Sequence, residues 1–211
     1  MSKNEYNKFY LECIADTLNY ALKEYSRITV IRVDLHFPPI IDNGDMPTCF
    51  PYLEGSPISR FTDSLKAKLK HDQHRKKLQG KRTFENNMRY MWVKEIATAT
   101  LPHYHVFLVF NKDAYYHLGD YNLSEPSLRT MITTAWYNAL QLEFDPSFVT
   151  GTLIHYPENC RYCLNKLSSS FSDDYQLVMK RLSYLAKEYS KQYSPVRRSL
   201  GRSQYWYLWW P

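Results

Sequence analysis

The chain has 211 residues, of which 44% are hydrophobic and 16% aromatic; this suits one globular domain with additions and argues against disorder. It has neither an apolar run of about 18 residues nor a charged-then-apolar leader, so we expect no transmembrane helix, no secretory signal and no membrane partner. The formal net charge of +6 favours a polyanionic partner. Four scattered cysteines favour a reducing, cytoplasmic setting over a disulfide scaffold.

The positive charge is concentrated in two stretches. Residues 54–82 hold nine Lys/Arg against three acids, and residues 180–202 hold seven Lys/Arg against Glu188 alone. Each stretch also carries aromatic residues, namely Phe61 in the first and Tyr184, Tyr189 and Tyr193 in the second. Cations mixed with aromatic rings are typical of single-strand nucleic-acid binding, although either run alone could be a solvated helix face.

The first third of the chain predicts a helix, a strand and a second helix. Apolar spacing predicts an amphipathic helix over Glu5 to Ser26. Arg27 to Phe37 alternates as a half-buried strand, with a polar face formed by Arg32, Asp34 and His36. After a loop, a basic helix runs from Pro57 to Leu78, with Ser56 or Ser59 as its cap.

The middle of the chain predicts an antiparallel hairpin. Met88 to Ile96 reads as a strand, and a short connection leads to a second strand that begins at His103 and runs to Phe110. Further along, we predict a helix, a third strand, a short helical turn and a long last helix, over Glu125 to Leu142, Phe148 to Tyr156, Glu158 to Leu167 and Asp173 to Gln192.

These elements mix helices and antiparallel strands without a regular βαβ rhythm. We therefore predict an α+β fold, in which a central antiparallel β-sheet is flanked by helices that pack largely on one side. The predicted organisation is an N-terminal helix over residues 1–26, a main domain over residues 27–195, and a basic and aromatic C-terminal tail over residues 196–211.

A candidate metal site lies on the hairpin. Because residues two apart on a strand share a face, His103 and His105 present two imidazoles side by side. The short connection places Glu95 roughly opposite one of them. Two imidazoles and a carboxylate can bind Mg²⁺ or Mn²⁺ and leave coordination positions open for the oxygens of a phosphate. The alternative is a strand with polar first residues and a surface Glu95 paired with Lys94 or Arg89. Arg32, Asp34 and His36 share one face of the first strand and could border the metal if that strand lies near the hairpin, but we favour a solvated face there.

The last helix carries a candidate nucleophile, Tyr184. Val178, Leu182, Leu185 and Tyr189 form its apolar stripe, and Lys180, Tyr184, Lys187 and Lys191 form the opposite one. A phenol among lysines makes chemical sense as a nucleophile, because ammonium groups or a metal favour the phenolate. Lys187 would then hold the scissile phosphate or stabilise the leaving charge. The alternative is a surface tyrosine that stacks on lysine side chains.

Cys160 and Cys163 have the spacing of a zinc half-site or a redox pair. A partner pair is missing, so we interpret this as chance spacing on a helical turn. A zinc protein that uses these cysteines stays open as an alternative.

The chain also carries a family resemblance. His103-Tyr104-His105 resembles the histidine–hydrophobe–histidine motif of HUH endonucleases, and Tyr184-Leu185-Ala186-Lys187 resembles their Tyr-x-x-Lys motif. More closely, the chain resembles the replication proteins of filamentous phages and the related YagK/YfjJ-type proteins of bacterial prophages. The matching pieces span about residues 27 to 202; besides these two motifs they are Arg32 to His36, Trp92 to Glu95, Asn111 to Gly119, His155 to Pro157 and Arg181 to Lys187.

The resemblance implies an antiparallel sheet that carries the metal, and a tyrosine that nicks one DNA strand and stays bound to the 5′ phosphate. Cys160, Cys163 and the aromatic residues 205–211 lie outside the family pattern. The sequence has no helicase-like phosphate loop, so unwinding would depend on another protein such as a host helicase.

The leading hypothesis is a site-specific, metal-dependent DNA nicking and joining enzyme that initiates rolling-circle replication of a phage or prophage in the bacterial cytoplasm. His103, His105 and Glu95 would hold Mg²⁺ or Mn²⁺, Tyr184 would attack and Lys187 would assist. Single-stranded or origin DNA would be bound by Arg32, Lys66, Lys70, Arg75, Lys180 and Lys191. The alternatives are a relaxase-like or transposase-like enzyme of a mobile element and a non-catalytic prophage DNA-binding regulator.

Overall fold

The computed structural model describes residues 5–38, 50–95, 102–120, 123, 126–144, 153–187 and 198–204. These residues form four α-helices, one 3₁₀ helix and six strands. In chain order the elements are α1 Lys8–Glu24, β1 Arg27–Leu35, α2 Pro57–Leu78, β2 Arg89–Glu95, β3 His103–Asn111, α3 Leu128–Ala139, β4 Ile154–His155, β5 Arg161–Asn165, α4 Phe171–Leu182, the 3₁₀ helix Ser183–Ala186 and β6 Leu200–Arg202.

The strands form one antiparallel sheet, which confirms the predicted α+β class. Its order is β4-β1-β3-β2-β6, and β5 pairs with β1 beside β4. The predicted hairpin of β2 and β3 is present, and its register sets Glu95 directly opposite His103. β1 lies on the other side of β3, with Asp34 opposite His105. Three strands thus bring their polar residues to the same end of the sheet.

Helices cover both faces of the sheet, so the prediction that they pack largely on one side is wrong. On one face α2 and α3 pack over β3 residues such as Tyr104, Val106 and Leu108. On the other face α1 and α4 pack over Phe107 and Val109. The physical reason is that β1 and β3 are apolar on both faces through most of their length, and burying both faces removes more apolar surface from water.

α1, α2 and α3 begin where the sequence offers a capping side chain. The Asn7 side chain accepts a hydrogen bond from the backbone N–H of Tyr10 at the start of α1. Ser56 caps α2, and Pro57 occupies the first turn. These side chains satisfy backbone donors that have no partner within the helix. The basic helix Pro57–Leu78 has the bounds that the sequence predicts.

The predicted helical turn near residues 158–167 is wrong. Arg161–Asn165 is the strand β5, which pairs with residues Arg27 to Ile31 of β1. The pairing satisfies backbone groups of β1 that would otherwise be buried without partners. Of the predicted strand Phe148 to Tyr156, the structure describes β4 at Ile154–His155, and residues 145–152 lie outside the described ranges.

The last helix is shorter than predicted. α4 ends at Leu182 and passes into the 3₁₀ helix Ser183–Ala186, while residues 188–197 lie outside the described part of the chain. Within the predicted tail, Leu200–Arg202 form β6 on the outer edge of β2. None of the described helices is both long and apolar enough to cross a membrane.

Candidate metal centre and nucleophile

Glu95, His103 and His105 converge at the end of the β2–β3 hairpin. The Nε2 atoms of the two histidines are 3.1 Å apart, and the Glu95 Oε2 atom is 3.0 Å from His105 Nε2 and 3.6 Å from His103 Nε2. Hairpin register causes this convergence, because Glu95 and His103 are directly paired and His105 shares the face of His103. The predicted juxtaposition of the three side chains is therefore present.

These three distances fit one small divalent cation. Two ligand atoms that lie about 2.1 Å from one ion at a right angle are about 3.0 Å apart, and the separation grows as the angle opens. Two imidazole nitrogens and one carboxylate oxygen also form a donor set that suits Mn²⁺ or Mg²⁺ and leaves positions open for substrate oxygens. Glu95 and His105 are buried, whereas the His103 side chain is 18% exposed, so the site opens to solvent at His103.

Asp34 of β1 fixes the orientation of His105. Its Oδ1 atom is 2.6 Å from His105 Nδ1, which leaves His105 Nε2 directed at Glu95 and His103. A carboxylate behind a ligand histidine sets the ring orientation and raises the basicity of the ligand nitrogen. His155 of β4 lies behind Asp34, with Nδ1 3.4 Å from the Asp34 Oδ2 atom. His36 stacks on His103, with ring centroids 5.4 Å apart.

The carboxylates around His105 determine the protonation of the site. Burial by itself lowers the pKa of His105, but the hydrogen bonds with Asp34 and Glu95 outweigh burial and raise that pKa above its ordinary value. Burial likewise raises the pKa of Asp34, but His105 and Arg32 outweigh it and hold that pKa below its usual range. A cation held by His105 Nε2 would take the place of the proton there, so its binding would release a proton.

Tyr184 lies against the metal site. Its ring meets the His105 ring edge-on, with the centroids 5.2 Å apart. The guanidinium carbon of Arg32 lies 4.3 Å from the Tyr184 ring centroid, and Lys187 Nζ lies 4.6 Å from it. The predicted nucleophile, its predicted lysine partner and the predicted metal ligands therefore form one cluster.

The 3₁₀ helix explains how Tyr184 faces the sheet although it lies opposite the apolar stripe in the helical projection. In a 3₁₀ helix the side chains at i and i+3 are aligned, so Leu182 and Leu185 share one side and Tyr184 is turned about a third of a turn away. Leu182, Leu185 and Ala186 are buried against α1 and the sheet. The apolar side of this segment therefore packs on α1, and the Tyr184 side chain points toward His105.

Arg32 differs from its predicted setting on a solvated face. It is buried, with 5% exposure, and its Nη2 atom lies 3.5 Å from Asp34 Oδ1. The β1 polar face is covered because α4 and the 3₁₀ helix pack above it and bring Tyr184 onto Arg32. Arg32 is therefore buried inside the site, where its guanidinium packs against the Tyr184 ring.

The other predicted DNA contacts lie apart from this centre. Lys66 and Lys70 are exposed and Arg75 is partly buried on α2, which covers the opposite face of the sheet. Lys180 is exposed on α4, on the same face as the metal ligands, and Lys191 lies outside the described residues. The cations of α2 and the candidate metal ligands therefore lie on opposite sides of the sheet.

Within the part of the chain that the structure describes, Cys160 and Cys163 do not converge with other potential zinc ligands. Cys160 precedes β5 and Cys163 lies within it, and residues three apart on extended backbone point to opposite faces. Among the described residues, the group of potential ligands that converges on one point is Glu95, His103 and His105, and it contains no cysteine.

Sequence reasoning did not assign His155 to the site and left Asp34 as a residue that borders it. Both reach the centre through strand pairing with β1, since Asp34 pairs with His105 on one side and with His155 on the other. The one sequence signal for His155 is its place in the His155-Tyr156-Pro157 piece of the family resemblance.

Comparison with known proteins identifies the family. The uncharacterized protein YagK of Escherichia coli strain K12 is 46% identical over 195 residues, which cover 92% of each chain. The uncharacterized protein YfjJ of the same strain is 42% identical over 199 residues, covering 92% of this chain and 93% of YfjJ. No solved structure matches. The family model of the YagK/YfjJ C-terminal domain matches residues 1–203, and the chain therefore belongs to the YagK/YfjJ C-terminal domain family.

Proposed function

We propose that this chain is a metal-dependent enzyme of the HUH type that nicks and rejoins single-stranded DNA and so initiates rolling-circle replication of a phage or prophage. One observation carries the proposal: Glu95, His103 and His105 converge at ligand spacing, and the ring of Tyr184 contacts His105. A cation site beside a phenol, in a chain of net charge +6, suits attack on a polyanionic backbone.

The proposed reaction is a transesterification. The Tyr184 phenolic oxygen attacks the scissile phosphorus, the P–O3′ bond breaks, and the 5′ phosphate becomes joined to the tyrosine. The phenol loses its proton to solvent, and the departing 3′ oxygen takes one up to give a free 3′-OH. Bound Mg²⁺ or Mn²⁺ would supply charge neutralisation at the phosphate oxygens. The reverse attack by a 3′-OH reseals DNA without a nucleotide cofactor.

The chain's own residues position the attacking group. Arg32 lies under the Tyr184 ring and is held by Asp34, so it limits the movement of the phenol relative to His105. Lys187 Nζ lies 4.6 Å from the same ring, where an ammonium group stabilises negative charge on the phenolate or on the phosphate. Asp34 keeps the His105 Nε2 atom directed at the cation.

A relaxase-like or transposase-like enzyme would use the same chemistry on another DNA, and the substrate separates these roles. A host helicase would supply unwinding in the replication role. The cytoplasm of a bacterial host is the compartment in which such DNA is found.

The test uses a random pool of single-stranded oligonucleotides, incubated with the full chain and Mn²⁺. With label at the 3′ end, we expect labelled protein on a denaturing gel; with label at the 5′ end, we expect released fragments that a polymerase extends from their 3′-OH. Tyr184→Phe should abolish both products. Tyr175→Phe is the matched control, because Tyr175 lies on α4 and its hydroxyl bonds Asn19 on α1.

A covalent adduct that survives in Tyr184→Phe would show that another residue is the nucleophile. Salt-sensitive DNA binding with no strand scission under Mg²⁺ or Mn²⁺ would overturn the enzyme and favour the non-catalytic DNA-binding regulator.

A further inference from the structure

A second cluster of cations and aromatic rings lies outside the metal centre, in the segment that follows β3. The Tyr116 ring is 39% exposed, with Arg161 Cζ 4.7 Å and Lys112 Nζ 5.0 Å from its centroid. The exposed His117 ring meets Tyr116 edge-on, with the centroids 4.1 Å apart. Arg161 also donates a hydrogen bond to the Tyr116 carbonyl oxygen over 3.2 Å. We call Lys112, Tyr116, His117 and Arg161 the Tyr116 cluster.

The surroundings of the Tyr116 cluster are open and positively charged. Cavities of about 420 Å³ and 330 Å³ lie on its two sides, and His117 lines both. Of the nearby acids, Asp113 is paired with Arg27 at 2.8 Å, and Asp72 is paired with two cations of α2. Asp120 is exposed at the rim of the larger cavity. Asp113 and Asp72 are therefore already paired with other cations, and Asp120 is the one acid of the three without such a pairing among the described residues.

The Tyr116 cluster lies along the same sheet edge as the metal centre. Arg161 pairs with Ile31 of β1, and Asp34, three residues further along β1, pairs with both His105 and His155. Three residues of strand span about 10 Å. The His155 side chain, 61% exposed, lies at this edge on the face of the candidate metal ligands, because His155 pairs with Asp34. Arg161 pairs with Ile31 and therefore lies on the α2 and α3 face. A strand bound at the metal centre reaches Tyr116 by passing around the edge that β4 and β5 form.

We propose that the Tyr116 cluster is a second binding site for single-stranded nucleic acid, which holds the strand beside the cleavage centre. Lys112 and Arg161 contact phosphates, and the exposed rings of Tyr116 and His117 stack on bases. Rings that stack in this way require bases that are not already stacked in a duplex, so the site favours single strands. The inference deepens the proposed function by assigning the path of the strand, and its test needs no cleavage.

The test measures the binding of a fluorescent oligonucleotide of 15 deoxythymidines by anisotropy, with the full chain in EDTA. Tyr116→Ala should raise Kd on the order of 5- to 100-fold, which is the effect of losing one stacked base. Tyr116→Phe keeps the ring and should stay within about twofold of the parent. A duplex of the same length should bind the parent and Tyr116→Ala about equally.

Tyr52→Ala is the matched control. Tyr52 has 37% exposure and lies under the Arg60 guanidinium at 4.6 Å, but the Arg60 nitrogens are all bonded to backbone carbonyls, which commits that cation to the fold. Its Kd should match the parent. If Tyr52→Ala raised the Kd for the oligonucleotide as much as Tyr116→Ala does, the assignment of the binding site to the Tyr116 cluster would be wrong.

A second pair of substitutions keeps the proposal testable if Tyr116→Ala fails to fold. Lys112→Gln with Arg161→Gln removes two phosphate contacts and should make the slope of log Kd against log salt shallower by about 1.4. An unchanged slope, an unchanged Kd in folded Tyr116→Ala, or no binding by the parent each overturns the site. Binding that depends on Tyr116 in a chain that never forms an adduct supports this site while it overturns nicking.

Discussion

At the scale of single residues, the position of Asp34 sets the orientation of His105, which the proposed function uses as a metal ligand. Asp34 is 6% exposed and its carboxylate accepts a hydrogen bond from His105 Nδ1, while nitrogen atoms of Arg32 and His155 lie 3.5 and 3.4 Å from its oxygens. Without this carboxylate, nothing described on that side of the ring selects the tautomer that presents a lone pair at Nε2. The candidate metal site therefore depends on Asp34, although Asp34 is not one of its three potential ligands.

We predict that Asp34→Asn lowers the affinity for Mn²⁺ by about 10- to 100-fold, since the amide cannot support the ligand nitrogen as the carboxylate does. Titration calorimetry with Mn²⁺ measures the change. Asp72→Asn is the control, because Asp72 is 7% exposed and equally surrounded by cations, yet it lies on α2 across the sheet. If the two variants lost the same affinity for Mn²⁺, Asp34 would act through the stability of the whole fold and not through His105.

The residues of the site were predictable from the sequence where neighbours along the chain create them. A period of two residues brings His103 and His105 together, and one short connection adds Glu95. Arg32, by contrast, was expected on a solvated face, because its burial depends on Tyr184 and α4, which lie about 150 residues further along. Strand alternation indicates which residues share a face, and it contains no information about what later covers that face.

At the scale of elements, the helices with caps and long apolar stripes were predictable, and the edge strands were not. α2 has the predicted bounds because Ser56 caps the helix, Pro57 suits its first turn, and the apolar residues that follow have helical spacing. β5 has five residues and was predicted as a helical turn. It forms a strand because it pairs with the edge of β1, and the local sequence alone does not favour a strand. The 3₁₀ helix that turns Tyr184 toward His105 likewise follows from packing on α1.

The strand β6 depends on one glycine. Gly201 lies opposite Trp92, and a Cβ atom on Gly201 would lie 2.4 Å from the Trp92 ring. We predict that Gly201→Ala lowers the free energy of unfolding by about 1–3 kcal/mol, because the strand must move away from the indole. Urea denaturation followed by far-ultraviolet circular dichroism measures it.

The control for β6 is the same substitution in a Trp92→Ala background, where the clash is absent. In that background Gly201→Ala should lower the free energy of unfolding by less than about 0.5 kcal/mol, so the double-mutant cycle should show strong coupling between Gly201 and Trp92. Additive losses would indicate that backbone conformation, and not contact with Trp92, requires glycine at this position.

At the scale of the whole molecule, the sheet separates two kinds of positive surface. The face under α1 and α4 holds the metal ligands, Tyr184 and Lys187, while the exposed lysines of α2 lie beyond the other face. The Tyr116 cluster lies at the edge where β5 borders β1 and adjoins a cavity that Lys76 of α2 also lines. In the proposed function, a long DNA therefore has to pass this edge to use both surfaces.

The fold as a whole also buries several phenols, and this gives a stability that depends on pH. Burial and the hydrogen bond to Glu24 raise the pKa of Tyr25 to about 12. Burial likewise raises the pKa of Tyr115, helped by the charge of Asp72, and the pKa of Tyr156. A phenol whose pKa is raised on folding stabilises the folded chain fully below its unfolded pKa of about 10, and this contribution is lost as pH rises through the folded value.

We therefore predict that the urea midpoint is lost progressively between pH 10 and pH 12, in step with the Tyr25 phenol whose folded pKa is about 12. Absorbance at about 295 nm reports phenolate formation, and circular dichroism reports unfolding in the same samples. Tyr25→Phe removes one of these titrating groups, so the urea midpoint of the variant should fall less steeply with pH over this window, while its midpoint at pH 7 is lowered by the lost hydrogen bond from the Asn87 N–H. If Tyr25→Phe and the parent lose stability with the same slope, the Tyr25 phenol does not contribute to the alkaline transition, and the other groups whose pKa is raised, among them Tyr115, Tyr156 and Tyr175, must account for it.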